Sequence, residues 1–358
     1  MRIGIILHPY GEDKPAGLAR TIFELAQALV RYGREHEFVI FLKNKPRVMP
    51  QFPGANWNIE ALGSGILWLE RLKRSTPCDV YVFNTPVIPV FFRPRRSVVL
   101  ALDFAYKYFP AKTVAGRMRN KAVERYHRFS LRRADAIIAM SDATKRDIVN
   151  FFNIEEGKIT VGYWGFKPVC SVPPETVAVQ KPFFLFVGVV KERKNVLNIV
   201  KGFYEFTKKY PDHTFVIAGN ARGEYGDEIK AYIAKEGMSK RIVFPGYLTE
   251  GQISYLYQNA QALVFPSLVE GFGFPVMEAM DCGTPVITSN ISSLAELGAD
   301  DSAILVNPYN PSDIARAMRE VAGNEGQRRA LAEAGLRRSK MFRWENRIGV
   351  FLDVIAKK

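Results

Sequence analysis

The 358-residue chain is poor in cysteine and histidine, with three of the first and four of the second. Cys78, Cys170 and Cys282 are scattered and odd in number, which argues against a disulfide framework or a metal cluster and favours a reducing, cytoplasmic setting. No run of 18 apolar residues occurs, so nothing reads as a membrane-spanning helix. Met1 to Leu7 is too short for the apolar part of a secretory leader, and the charged Arg20 and Glu24 interrupt the stretch beyond it. Short-period repeats and low-complexity stretches are also lacking. At 47% hydrophobic and 24% charged residues the composition is globular, which excludes disorder, collagen and coiled coil. The length predicts two domains, each large enough to fold without disulfides or a metal.

Acidic residues are the remaining shortage. There are 36 Asp+Glu against 50 Lys+Arg, a net charge of +14. The excess is local: residues 1–170 hold 27 basic and 15 acidic side chains, whereas residues 171–358 hold 23 and 21. A polyanionic partner is therefore expected at the first half: nucleic acid, an anionic membrane or a phosphorylated substrate.

What is present is an alternation of strands and helices. Ile3–Leu7 is a continuous apolar run of the kind buried in a parallel sheet. A loop with Gly11, Pro15 and Gly17 comes next, then a helix whose apolar residues recur from Leu18 to Leu29 until Gly33. Phe38–Leu42, Val80–Phe83, Val98–Leu102 and Ala136–Ala139 are the next strands. Residues 167–182 contain four prolines and no periodic pattern, and read as a linker. The rhythm restarts at Phe183–Val187, with a helix near Val196–Lys208 and strands at Thr214–Ala218, Ile242–Phe244, Ala262–Phe265 and Pro285–Thr288. The expected fold is α/β, with two doubly wound Rossmann-like domains in tandem and a cleft between them as the default ligand site.

Two segments carry chemistry. After the strand ending at Phe265 comes Glu270-Gly271-Phe272-Gly273-Phe274-Pro275, then a helix bearing Glu278. Proline suits a helix start, and free N–H groups there favour phosphate. Glu278 is placed to accept from ribose hydroxyls and Glu270 from a second polyol, although a tight turn with a solvated acid accounts for the same residues. The second segment is Gly188-Val-Val-Lys191-Glu-Arg193-Lys194-Asn195, a strand end followed by cations that can neutralise a diphosphate, with Asn195 as helix cap. A solvated charge pair is the alternative.

Taken together, Glu270-x7-Glu278, Gly-Thr-Pro-Val-Ile-Thr-Ser-Asn at 283–290 and Arg193-Lys194-Asn195 resemble glycosyltransferase family 4. The likeness extends to Gly17-Leu-Ala-Arg20, to Ala134-Asp-Ala-Ile-Ile-Ala-Met-Ser141 and to Phe342-Arg-Trp344-Glu, and so covers nearly the whole chain. The subgroup closest in pattern is that of bacterial mannosyltransferases building surface polysaccharides. The resemblance implies a GT-B fold and a retaining hexosyl transfer from a nucleotide sugar, GDP-mannose first and a UDP-sugar as alternative, to a lipid-linked or polysaccharide acceptor. It also implies an acceptor-side domain at 1–170, a nucleotide-sugar domain at 171–341, and a terminal helix at 342–358 that crosses back. Carried over by position, Glu278 would hold the ribose, and Arg193 and Lys194 the diphosphate. Glu270 would hold the sugar, helped by the N–H groups of Gly271, Phe272 and Gly273. Gly17 and Gly188 would approach the diphosphate, and Gly246-Tyr247 would lie near the base. No metal or other cofactor is expected, since two cations can take a metal's place and no Asp-x-Asp pair is placed to hold one.

One position departs from the family. Where it often has His-Asp, this chain has Leu102-Asp103, so Asp103 is kept and the histidine is lost. His8, ending the first strand, is a substitute candidate. A degenerate, nucleotide-binding but inactive protein is the alternative that this loss raises.

Residues 93–146 hold 14 basic and four acidic side chains. Within them Arg117, Lys121, Arg125, Arg128 and Arg132 form one stripe of a helix at 114–133, beside Met118, Ala122, Tyr126 and Phe129. Five like charges on one face suit contact with anionic lipid at the inner membrane face or with a lipid-diphosphate acceptor, a solvated face being the alternative. No recognition motif for nucleic acid is present, so nucleic acid is not expected as a partner.

Overall fold

The computed structural model describes residues 1–12 and 17–357. They divide into two compact units, Met1–Gly165 with Arg343–Lys358, and Phe166–Phe342.

The first unit is built on a fully parallel seven-stranded sheet. Its strands are β1 (Arg2–Ile6), β2 (Glu37–Leu42), β3 (Trp57–Ala61), β4 (Val80–Phe83), β5 (Ser97–Ala101), β6 (Ala136–Ala139) and β7 (Ile159–Val161), in the order β3-β2-β1-β4-β5-β6-β7. The second unit carries a parallel six-stranded sheet of β8 (Phe183–Val187), β9 (Thr214–Ala218), β10 (Ile242–Val243), β11 (Leu263–Phe265), β12 (Val286–Ser289) and β13 (Ile304–Val306), in the order β10-β9-β8-β11-β12-β13. Central strands are buried on both faces, which is why they read as unbroken Val, Ile, Leu and Phe runs.

The expected strands are all present, with ends shifted by at most one or two residues. Three strands escaped the pattern: β3, β7 and β13. Each lies at a sheet edge and is partly exposed; the runs of β3 and β7 are diluted by Asn58, Glu60 and Thr160, and β13 is apolar but only three residues long.

The C-terminal helix Trp344–Ala356 belongs to the first unit. Its Phe351 is fully buried and meets the Trp164 ring edge-on at 5.3 Å, with Trp344 6.2 Å from the same ring. The approach is so close that a Cβ on Gly165 would lie 2.2 Å from the Trp344 ring, and one on Gly162 3.0 Å from Phe351.

The expectation of unpaired cysteines is corrected. Cys170 and Cys282 form a disulfide across 112 residues, their Cα atoms 5.5 Å apart, and only Cys78 is free. Scattered spacing hid the pair because one cysteine lies in the proline-rich segment and the other just beyond the helix Phe274–Asp281, which the fold brings side by side. That segment has no helix or strand, yet it is tied down: Ser254 Oγ donates to Val172 O and Thr249 Oγ1 to Glu175 Oε2, both from the helix 250–259 and its cap. Burial pushes the Cys78 thiol up to about 12, so it stays protonated and inert. Among the described residues no helix is long and apolar enough to cross a membrane.

Gly165→Ala should overpack the seat of the C-terminal helix at a cost of about 1–3 kcal/mol. A lowered urea midpoint for the first unit, with ligand binding by the second unit unchanged, is the expected result.

Candidate active site

In the second sheet the chain runs from β8 outward to β9 and β10, then crosses to β11 on the other side of β8. The loops after β8 and β11 therefore leave in opposite directions and open a crevice at the carboxyl ends of the two central strands, where α/β sheets bind ligands. Arg193 and Lys194 come after β8; Glu270 comes after β11. The topology brings together residues 77 and 76 positions apart.

Glu270 is buried at 8% exposure, with Arg193 Nη1 2.9 Å from one carboxylate oxygen and Lys194 Nζ 2.5 Å from the other. Lys194 also stands over the Phe265 ring at 4.5 Å. Burial by itself pushes the Glu270 carboxyl up, but the charges of Lys194 and Arg193 outweigh it and hold the group below the ordinary glutamate value. Glu270 is thus an anion with both expected phosphate-binding cations on it.

The loop carrying Glu270 is stitched down from three sides. Asn195, expected as a helix cap, instead turns its buried amide away from the helix 196–207 and donates to Pro266 O at 3.1 Å and Pro308 O at 2.6 Å. Its left-handed φ of 61° is what aims it there. Arg193 Nη1 donates to Val269 O, and Leu268 N donates to Arg193 O. From β12 and the turn after it, Ser289 donates to Ser267 O, Ser292 both accepts from Glu270 N and donates to Glu270 O, and Ser293 donates to Phe272 O at 2.7 Å. Ser289 belongs to the 283–290 motif, whereas Ser292 and Ser293 were not foreseen; their only signal is their position just past Asn290.

Gly271 and Phe272 are buried, and Gly273 (φ 125°) precedes the helix Phe274–Asp281. Phe272 is part of the packing, its ring 5.1 Å from Phe274 and 5.8 Å from Phe342, so only its backbone can serve a ligand. The N–H groups of Gly271, Phe272 and Gly273 find no acceptor among the described residues. They are donors at a helix start beside two cations, a setting suited to an anion. A Cβ on Gly273 would lie 2.6 Å from Leu294, so only glycine permits this turn.

Glu278 is half-buried on that helix, and the hydroxyl of fully buried Tyr257 donates to its Oε2 at 3.0 Å. Thr284 Oγ1 in turn donates to Tyr257 O at 2.6 Å. Tyr257 lay in an ordinary helical pattern and gave no sequence signal. Beyond Gly188 (φ 142°), whose carbonyl packs against Gly219, opens a groove of about 550 Å³ at the ends of β8, β9 and β10. Val189, Gly219, Asn220, Arg222, Gly246 and the exposed Tyr247 line it.

The remaining candidates belong to the first unit. Asp103 lies just after β5, and its carboxylate accepts from Ala105 N at 3.1 Å, which caps the short helix Ala105–Tyr108. The Leu102 carbonyl accepts from the Thr144 hydroxyl. His8 lies just after β1 with its ring edge-on to Trp68; burial and the nearby Lys43 lower its pKa, so it is neutral at pH 7. Gly17 adopts φ 53° ahead of the helix Leu18–Tyr32, with open space where a Cβ would stand. Pro15 of that loop lies outside the described residues.

The basic helix spans Val114–Arg133 and is capped by Thr113. Its stripe is not uniform. Arg128 turns inward, 3.4 Å from Glu124, donating to Phe151 O and stacking over Phe152. Arg119, Lys121 and Arg125 point to solvent with no ion pair among the described residues, and Val114 and Met118 are more than 60% exposed beside them.

Glu270→Gln should destabilise the second unit by about 3–5 kcal/mol, because two largely buried cations lose their counter-charge. The same pairing sets the sign of the pH dependence: a depressed carboxyl stabilises above the ordinary value of 4.5 and loses that contribution as pH falls through its folded value. Denaturant midpoints measured from pH 7 to pH 3 should fall steeply for the native chain and less steeply for the variant.

The comparisons with known proteins fall on both units. Residues 15–168 match the model of Glycosyltransferase Family 4, and residues 173–338 that of Glycosyl transferases group 1. The chain is 27% identical over 283 residues to O-antigen chain mannosyltransferase B of Escherichia coli, covering 74% of this chain and 71% of that protein. It is 30% identical over 237 residues to the serotype-specific mannosyltransferase WbdA of Escherichia coli, 60% of this chain but 28% of the other. In structure it superposes on Anabaena HepE, solved with UDP and glucose, with a TM-score of 0.77 at 16% identity, over all of both chains. The two parallel sheets are those of the GT-B fold, and with both family models matched in tandem the chain belongs to glycosyltransferase family 4.

Proposed function

We propose that this glycosyltransferase moves a hexose, with retention, from a nucleoside diphosphate sugar to a lipid-linked or polysaccharide acceptor in cell-surface glycan synthesis, with mannose from GDP-mannose as the leading donor. The carrying observation is the meeting of two strand-end segments: Arg193 and Lys194 after β8, and Glu270, the three free N–H groups and Glu278 after β11. The O-antigen mannosyltransferase among its relatives supports the choice of sugar.

The leaving group is a nucleoside diphosphate, and its departure develops negative charge. Two cations and a helix start, fixed in place before the donor arrives, stabilise that charge without reorganising. In the free protein Glu270 pairs with both cations, one negative charge against two positive ones. When a diphosphate takes them over, the carboxylate is released to accept from sugar hydroxyls, so the resting ion pair keeps a buried site from carrying bare charge. Glu278, held by Tyr257, accepts from the ribose. The groove beside Gly246 and Tyr247 receives the base. Asp103, with leucine before it, is the part of the family's His-Asp motif that this chain keeps, and it fixes the turn after β5 by accepting from Ala105 N. The exposed cations of the helix 114–133 serve the acceptor side at the inner membrane face.

Nucleotide release with a panel of donors tests this directly, GDP-mannose giving the fastest turnover. Lys194→Ala should lower kcat about 10²–10³-fold, the scale of losing one aimed transition-state partner. Glu278→Ala should raise KM for the donor with a smaller effect on kcat. Full activity in either variant would overturn the site.

A further inference from the structure

The first unit presents large apolar side chains that stay exposed among the described residues. Ile66 is 99% exposed, Leu67 57%, and Phe91 77%, with Val90 next to it at 40%. Ile66 and Leu67 lead into the short helical turn Trp68–Arg74, whose Glu70 carboxylate reaches the 90–92 loop, so the two segments adjoin. The loop is not loose. Glu70 accepts from the N–H groups of Val90, Phe91 and Phe92, and Ser130 Oγ from that of Ile88. Arg133 donates to the carbonyls of Val90 and Phe92, and Tyr126 Oη to that of Ile88. With most of the polar backbone groups of residues 88–92 paired inside the protein, this loop strands few of them on leaving water, which eases entry into the edge of a bilayer. Lys73, Arg74 and Arg93 flank it, and Arg133 ties it to the basic helix.

We propose that Ile66, Leu67 and Phe91 form an apolar wedge that inserts into the headgroup–acyl boundary of an anionic phospholipid bilayer, with the surrounding cations against the lipid charge. This deepens the membrane contact put forward above for the helix 114–133, and assigns the insertion to two loops outside that helix. Exposed apolar side chains in the half of the chain that carries a net +12 suit an anionic lipid surface better than a second copy of the same basic chain.

The test uses sedimentation with sucrose-loaded vesicles of phosphatidylcholine with and without phosphatidylglycerol. The triple variant Ile66→Ser, Leu67→Ser, Phe91→Ser should partition at least about tenfold more weakly, since each lost apolar insertion is worth around a decade or more. The loss should persist at high salt, where charge attraction is screened, whereas neutralising Arg119, Lys121 and Arg125 should matter mainly at low salt. Phe91→Trp, a milder change, should be quenched by brominated acyl chains more strongly than the native chain. Native-like partitioning of the triple variant, no binding by the native chain, or no added quenching would overturn the proposal. So would a native dimer in solution that the triple variant loses, because a second copy would then occupy the patch. Nucleotide-sugar binding by thermal shift reads the transferase assignment independently, and should be the same in native and triple variant.

Discussion

One buried carboxylate organises the second unit's functional end. Glu270 can lie inside the protein only because Arg193 and Lys194 are inside with it, and they are there only because β8 and β11 are neighbours. A charge in low dielectric without partners is prohibitively costly. The requirement propagates outward: the loop must hold Glu270 at a fixed position, so Ser292, Ser293 and Asn195 pin it, and the turn after it must be glycine because Leu294 fills the space of a Cβ. The pairing that lets Glu270 stay buried as an anion brings together the same two cations that the proposed diphosphate would use.

The strand ends of the second unit and the surface of the first unit carry positive charge in opposite ways. Residues 171–358 carry a net of only +2, yet two of their cations are largely buried and held on one carboxylate. Few charges suffice where water is excluded. The first 170 residues carry +12, spread over solvent, where each charge is screened and only number compensates. Within that surface the inward turn of Arg128 shows that spacing alone overstates a stripe: its neighbours Glu124 and Phe152 claim it for the fold.

The fold was legible wherever burial is two-sided. β4, β6, β8 and β9 were read with their ends in place, because parallel central strands admit little but apolar residues. β3 and β7 were missed because an edge strand has one wet side and mixes Asn, Glu or Thr into its run, and β13 because three apolar residues are too short a run to stand out. The motif residues of the site were legible for a related reason. Glycine at a turn that admits no side chain and acids or cations at strand ends are positions where local chemistry leaves little choice.

What the sequence determined by itself was the number of α/β units, their central strands and the chemical types at the strand ends, since each is set within a few residues. Tertiary structure alone decided which of those ends meet. It paired Cys170 with Cys282 across 112 residues, set Tyr257 on Glu278 and turned Asn195 from a cap into a clamp. These pairings are consequences of strand order, and strand order is fixed by the packing of whole sheets, which no local window contains.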